Sequence, residues 1–327
     1  MVAATLDEIE ALSVAALTRH GAAPWVATEV ARAIRRAEET GNVICGLYYL
    51  ESYCLQLASG RVKGSVEPEV TRPRPGSVKA DAKFGFSQAA FARALPKAIA
   101  AAKENGTASL AVAHAHTCTS LGYFTEQIAA AGLVGIGFTN ASPVVAPPGG
   151  NKAAIGTNPI AMTVPGPKAP AMHFDFSTSA VALGKITMAK AAGESIPLGW
   201  AVDAEGLPTT DPEAALSGAL VSVGGYKGWG FGLMAEVLAA AMTGSVNSLD
   251  VGGLKLPDGP PHGLGQFYLL LDPGTYTEAF DARVERVVNA VSDQPGARIP
   301  GAARAQATVV QVADELWTKL SALAARA

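Results

Sequence analysis

The stretch Gly156-Thr157-Asn158-Pro159-Ile160-Ala161-Met162 is a compact polar step inside an otherwise apolar segment. Asn158 precedes a proline, and the proline ring biases the residue before it toward extended backbone. The side chains of Thr157 and Asn158 can bond the local backbone as a turn; they can equally face a ligand. A strand follows. Downstream, MHFDFSTSAVA (172–182) starts as a second strand, and Asp175, Ser177, Thr178 and Ser179 supply acceptors and hydroxyls at its end. These fit a helix N-cap or a ribose or phosphate contact. Next comes GGYKGWG (224–230), a glycine turn feeding an apolar helix that stops at Gly244. Free backbone N–H groups, Lys227 and a helix N-terminus together suit phosphate, although the spacing is not that of a P-loop. A plain glycine loop is the other reading. Upstream, Gly132, Gly135 and Gly137 of GLVGIGF do not match the GxGxxG dinucleotide pattern and read as a buried strand packed closely on a neighbour.

The flanks are helix-rich. Thr5 and Glu8 predict a capping box for a helix that Gly21 closes. Pro24 starts a second helix, with Val26, Val30, Ala33, Ile34 and Ala37 as its apolar stripe and Gly41 at its end. GLYYLESYCLQLASG reads as a third helix and VEPEVTRPRPG as a proline-broken connector. SVKADAKFGF reads as a strand and turn, and SQAAFARALPKAIAAAKENG as a helix broken or kinked at Pro96. ASLAVAHAH, LVGIGFTNAS and GQFYLLLDP are strand-like, LGYFTEQIAAAG is an amphipathic helix, and ATVVQVADELWTKLSALAARA is expected to be helical. Strands and helices mix without a clean βαβ repeat, which predicts an irregular α/β (mixed α+β) enzyme fold.

The 327 residues suffice for one large or two ordinary domains. With 25 Lys+Arg against 28 Asp+Glu, the chain has no basic excess for nucleic acid. No apolar run is long enough for a membrane span. The acidic start MVAATLDEIEALS does not read as a signal peptide. Three cysteines without a CxxC argue against a disulfide framework or structural zinc, and a cytoplasmic setting is expected. His114 and His116 stand two apart on a strand, which predicts a shared face. No further ligand motif accompanies them, so no metal is expected, and His116 is a candidate for substrate or cofactor contact. No GxSxG nucleophile elbow is present.

Taken together, ADAKFGFSQ, LGYFTEQIAAAGLVGIGFTNASPVVAPPGG, GTNPIAM, DFSTSAVALGKI, IPLGWAVDAEGLPTTDP, GGYKGWGFGLM, GQFYLLLDP and ARIPGAAR resemble the malate/L-lactate dehydrogenase family that lacks a Rossmann fold. That family includes ureidoglycolate, sulfolactate and diketogulonate dehydrogenases and the Δ1-piperideine-2-carboxylate/Δ1-pyrroline-2-carboxylate reductases. The resemblance covers nearly the whole chain. It implies a homodimeric NAD(P)H-dependent oxidoreductase with a central cofactor domain (120–245) and a substrate and dimerisation domain built from both chain ends (1–119 with 246–327). NADPH is expected, since the ketimine-reducing members favour it, with NADH possible. By position, cofactor contacts are expected at His116, Thr117, Cys118, Thr119 and Ser120, at Asp175, Phe176, Ser177 and Thr178, at Lys227 and Gly228, and from Arg298 to Arg304. Thr157 falls where the family touches substrate.

One segment departs from the family. Its members carry Ser-His-Gly followed three residues later by an arginine, as proton donor and carboxylate holder; here the frame gives Ile44, Cys45, Gly46 and Tyr49. A second family histidine is Thr117 here, with His116 one place before it. Ketone reduction builds an alkoxide that needs a proton donor, worth about 10²–10⁴ in rate. A cyclic imine can instead arrive protonated and leave as a neutral amine. The expected reaction is therefore hydride transfer to a small cyclic ketimine. A 2-oxo-acid/2-hydroxy-acid dehydrogenase of shifted specificity and a cofactor-binding paralogue without turnover are the alternatives. Cys45 reads as general acid, apolar filler or redox-sensitive thiol. Tyr48 or Tyr49 can orient substrate, and His116 can lend a proton or bond a carboxylate.

Overall fold

A computed structural model describes residues 1–302 and 306–325. The chain opens with a strand, β1 (Val2–Thr5). Thr5 then caps α1 (Leu6–Arg19): Glu8 N donates to the Thr5 hydroxyl, and Thr5 N donates to the Glu8 carboxylate, as the sequence predicts. Pro24 begins α2 (Pro24–Glu39), whose Val26, Val30, Ile34 and Ala37 are buried. Two 3-10 turns, Val43–Cys45 and Leu47–Tyr49, precede α3 (Leu50–Ser59), so the third helix starts later than its sequence suggests.

The expected connector holds a strand, β2 (Glu69–Arg74), beside β3 (Ser77–Asp81). Pro73 is tolerated because β2 is an edge strand and needs no second set of ladder bonds. α4 (Ser87–Asn105) runs through Pro96 as one helix. Proline there forfeits one backbone bond, and the buried alanine face on either side holds the helix in register. β4 (Thr107–Ala115), α5 (Gly122–Ala130), β5 (Val134–Thr139), β6 (Ile160–Val164) and β7 (Met172–Phe176) follow the expected order. α6 (Leu183–Ala192), β8 (Ala201–Val202), β9 (Pro208–Thr209), α7 (Pro212–Ser217) and β10 (Ala219–Leu220) form a small unit around Val145, Ile155, Ile186 and Leu220. α8 (Tyr226–Glu236) continues into a π-helical turn, Val237–Ala241. β11 (Leu264–Leu271), α9 (Phe280–Ser292), β12 (Val309–Val312) and α10 (Asp314–Ala324) complete the chain. The valine run 309–312 pairs with β1 instead of extending the last helix, in keeping with the β preference of branched residues.

A seven-stranded sheet organises the molecule in the order β2-β3-β4-β11-β5-β6-β7. β3 and β4 run parallel, and the other neighbours antiparallel. Adjacent residues of β11 face opposite sides. Tyr268 packs with Phe91 of α4 and Phe124 of α5, whereas Phe267 packs with Phe138, Ile160 and Ala235 of α8. Helices α1–α3 and α10 form a third packed cluster, closed by the β1–β12 pair. The expected 119/120 boundary falls between β4 and β5, which flank β11 within this one sheet. Among the described residues, no helix is long and apolar enough to cross a membrane.

Candidate active site

The turn that opened the sequence reading is held by contacts on every side. A Cβ on Gly156 would fall 2.5 Å from the Ala141 carbonyl, so only glycine fits. Asn158 is not extended: its φ is +34°. Its buried amide donates to the Gly232 carbonyl at 3.1 Å and to the Glu236 carboxylate at 2.8 Å, and these bonds override the pre-proline bias. Thr178 N and Oγ1 both donate to the Thr157 carbonyl, at 2.8 and 3.1 Å. Asn158 and Thr178 are thereby tied up inside the protein. The half-buried Thr157 keeps a side-chain hydroxyl that bonds nothing among the described residues.

Asp175, at the end of β7, accepts from Gly122 N at 2.7 Å and from the Ser120 hydroxyl at 3.2 Å. It therefore fixes the start of α5 to the end of the sheet, where a carboxylate also suits the helix dipole. The segment between β4 and α5 is His116-Thr117-Cys118-Thr119-Ser120. Thr119, β-branched, sits at φ +62°, a conformation that costs about 1–3 kcal/mol and marks a constrained site.

Arg298 stands at the β7 end. A cleft of about 460 Å³ is lined by Asn42, Asp175, Phe176, Arg298 and Gly301, among others. Phe176 is half exposed and stacks on Phe174, with ring centroids 4.9 Å apart. One residue beyond the cleft, Ser177 and Ser179 bond each other, and Ser179 bridges to Ser222. The buried Ser222 hydroxyl has no hydrogen-bond partner among the described residues. Gly224 and Gly225, at φ +63° and +65°, turn the chain into α8, whose first-turn N–H groups lack helical acceptors. Lys227 projects into solvent there, and a Cβ on Gly228 would collide with the Val223 carbonyl. Exposed amide donors at a helix start and a cation beside two glycines are the donor set that a dinucleotide phosphate requires. Arg304 lies outside the described residues.

Beside the cleft, the half-buried Cys45 closes the first 3-10 turn. Below it, buried Glu38 accepts from Leu47 N at 2.7 Å, and its carboxylate presses on Gly46, where no side chain would fit. Burial, with the Asp175 charge added to it, pushes the Cys45 thiol up to about 12. Burial, with Cys45 and Tyr48 adding to it, likewise pushes the Tyr49 phenol up to about 12. Tyr53 and Cys118 are raised further, chiefly by burial. The Tyr53 hydroxyl is buried, and the Thr119 side chain faces it. Tyr48 is largely exposed.

His116 and His114 occupy separate environments, because His114 lies at φ +49° and breaks the strand alternation. His114 bonds Asp81 at 3.0 Å. His116 is buried between Tyr53 and Phe86, and stacks on His262 with centroids 3.9 Å apart and planes 10° from parallel. The Gln56 amide donates to the Leu254 and Leu256 carbonyls, which leaves its oxygen to accept from His116 Nε2 at 2.8 Å. His116 is therefore assigned the Nε2–H tautomer, with a bare, buried Nδ1. Thr117 N donates to His262 Nδ1 at 3.3 Å. Burial holds both rings neutral, His116 far below its ordinary value and His262 at about 3. His262 carries no sequence signal of its own; the stack exists because β11 brings it back beside β4.

Comparison with known proteins identifies the family. Residues 4–321 match the family model described as malate/L-lactate dehydrogenase. The chain is 38% identical to a (2R)-3-sulfolactate dehydrogenase (NADP(+)) of Chromohalobacter salexigens, over 92% of this chain and 90% of the relative. It is 38% identical to a Δ1-pyrroline-2-carboxylate/Δ1-piperideine-2-carboxylate reductase of Pseudomonas aeruginosa, over 94% and 93%. The solved Δ1-piperideine-2-carboxylate reductase of Pseudomonas syringae pv. tomato superposes with a TM-score of 0.92 at 32% identity, covering 99% of this chain and 100% of that one. The chain belongs to the malate/L-lactate dehydrogenase family and is an NAD(P)-dependent oxidoreductase acting on a small molecule.

Proposed function

We propose that this enzyme reduces small cyclic ketimines of the Δ1-pyrroline-2-carboxylate or Δ1-piperideine-2-carboxylate type, using NADPH by preference, with NADH as the other possibility. The observation that carries this reading is the state of the thiol, phenol and imidazole groups of Cys45, Tyr49, His116 and His262; the nearby Glu38 carboxyl, raised by burial, is bonded to Leu47 N. Cys45 and Tyr49 titrate near 12, and His116 and His262 stay neutral with their tautomers assigned by protein bonds. None of these groups is poised near neutrality, where general acids are most effective. The bound nicotinamide supplies a hydride. The substrate supplies the rest: a protonated C=N bond accepts the hydride at carbon, its π electrons settle on nitrogen, and a neutral amine results with no oxyanion to protonate.

The protein's part is then orientation and exclusion of water. Lys227 and the α8 N-terminus would hold phosphate, and Ser177 and Arg298 would meet other polar parts of the cofactor. Cys45, Tyr49 and Cys118 would wall the reacting face, Thr157 would offer its hydroxyl to substrate, and the HTCTS segment would line the nicotinamide. Cys45 serves as filler there and not as acid. The reductases of Pseudomonas aeruginosa and Pseudomonas syringae support the substrate class. The equally similar sulfolactate dehydrogenase favours a second reading, a 2-hydroxy-acid dehydrogenase. We also propose a homodimer. Tyr226, Phe231, Leu233, Met234, Val237 and Met242 leave an apolar face on α8 and its π turn, and a face of that kind calls for a partner surface.

Absorbance assays of NADPH oxidation separate the readings. Turnover of the two cyclic imines, with pyruvate and oxaloacetate inert, supports ketimine reduction. Turnover of the oxo acids with the imines inert overturns it, and silence on both with NADPH bound moves a cofactor-binding role ahead.

A further inference from the structure

Substrates of this class carry a carboxylate, which needs a cation, and position 49 holds a tyrosine. We propose that Lys255, delivered by a separate loop, holds the substrate carboxylate; the inference rests on the ketimine reading above. Lys255 Nζ stands 3.0 Å from the Tyr48 ring centroid and 4.9 Å from that of Tyr49. The ammonium thus lies beside the residue at position 49, whose phenol is close enough to Cys45 and Cys118 to feel their charge. Lys255 is exposed and forms no ion pair among the described residues, so its charge is available to a ligand.

The loop that carries it is held in place. Gln56 donates to the Leu254 and Leu256 carbonyls, Ser59 to Pro257, and Arg61 to Gly253, Leu256 and Pro260. Arg61 is 3% exposed, and a buried guanidinium given over to loop carbonyls is a costly way to fix a segment. All three side chains come from α3 or the residues just after it, the helix whose N-cap is Tyr49. Lys255 and Tyr49 are therefore set by the same helix. The other nearby cations are placed differently. Arg61 is committed to backbone, and Arg298 lines the cleft on the Asp175 side. The aromatic faces keep the ammonium desolvated on one side, which strengthens its bond to an anion.

The test compares wild type, Lys255→Met and Lys255→Arg on Δ1-piperideine-2-carboxylate and on Δ1-piperideine, which lacks the carboxylate. The expected result is a KM raised about ten- to hundredfold by Lys255→Met for the carboxylate alone, with NADPH affinity unchanged and Lys255→Arg close to wild type. A KM within twofold of wild type, or an equal rise for both rings, overturns the proposal. Calorimetry with NADP+-loaded enzyme gives a readout independent of turnover. Pyridine-2-carboxylate should bind wild type and lose about tenfold or more with Lys255→Met, while pyridine shows no such difference. Equal binding to both proteins, or no binding of pyridine-2-carboxylate to wild type, overturns it even if turnover fails on every imine.

Discussion

His116 and His262 lie face to face, 3.9 Å apart, with a Gln56 oxygen on one ring and the Thr117 amide proton on the other. A histidine that the sequence nominates for proton transfer is thus part of a neutral stack that fixes the start of the Thr117–Ser120 segment. Both rings have folded-state values below the ordinary 6.5, His262 at about 3. The unfolded chain therefore binds more protons than the folded one between pH 6.5 and about 3. Stability should fall as pH drops below 6.5, the His262 part of the loss extending to about pH 3 and the His116 part having the same sign. His262→Asn keeps the acceptor and removes the titration. Urea melts at pH 7.5 and 5.0 should show a smaller acid loss for the variant; equal losses would remove the stack from the acid response.

Cys45 should be slow to alkylate. A thiol near 12 is thiolate in about one molecule in 10⁴ at pH 8. Iodoacetamide followed by peptide mass analysis should show Cys45 far slower than free cysteine, with no inflection below pH 9. Cys45→Ala should keep kcat within about tenfold, whereas loss of a general acid costs about 10²–10⁴.

Asp175→Asn should quicken that alkylation, because the Asp175 charge adds to burial in raising the thiol. The amide oxygen still accepts from Gly122 N, so Tm should change little. Asp175→Ala removes the acceptor and should cost about 1 kcal/mol, as other helix caps do. An unchanged alkylation rate in Asp175→Asn would break the electrostatic link.

Restoring the family motif should restore the family's ketone chemistry. Ile44→Ser, Cys45→His and Tyr49→Arg together supply a proton donor and a cation, and should raise 2-oxo-acid reduction by about 10²–10⁴. No gain in a folded, NADPH-binding triple variant would mean that the walls around Cys45 exclude ketones for another reason.

Much of the fold is legible in local pattern. Thr5 with Glu8, Pro24 and Gly60 mark helix ends by mechanisms that act within a few residues, and the structure keeps each of them. The exceptions are decided at long range. β2 accepts Pro73 because it is an edge, Val309–Val312 is a strand because β1 is beside it, and Asn158 leaves the extended region because Glu236 holds its amide. The small β8–β10 unit is not read from the sequence, since two-residue strands leave faint patterns; α9 is not read either, although its apolar residues are spaced as in a helix. At the site, Asp175, Lys227 and the Cys45 substitution are visible in the chain. His262 and Lys255 are not, because each gains meaning only when a loop more than a hundred residues further along the chain returns to α3 and the end of β4.

The central claim is that the substrate, and not the enzyme, brings the proton. The dependence of kcat/KM on pH for Δ1-piperideine-2-carboxylate tests it most directly. The expected profile follows the ionisation of the free iminium and is the same for wild type and Cys45→Ala. An additional ionisation between pH 6 and 9 that belongs to the enzyme, and that moves in Cys45→Ala, would contradict it.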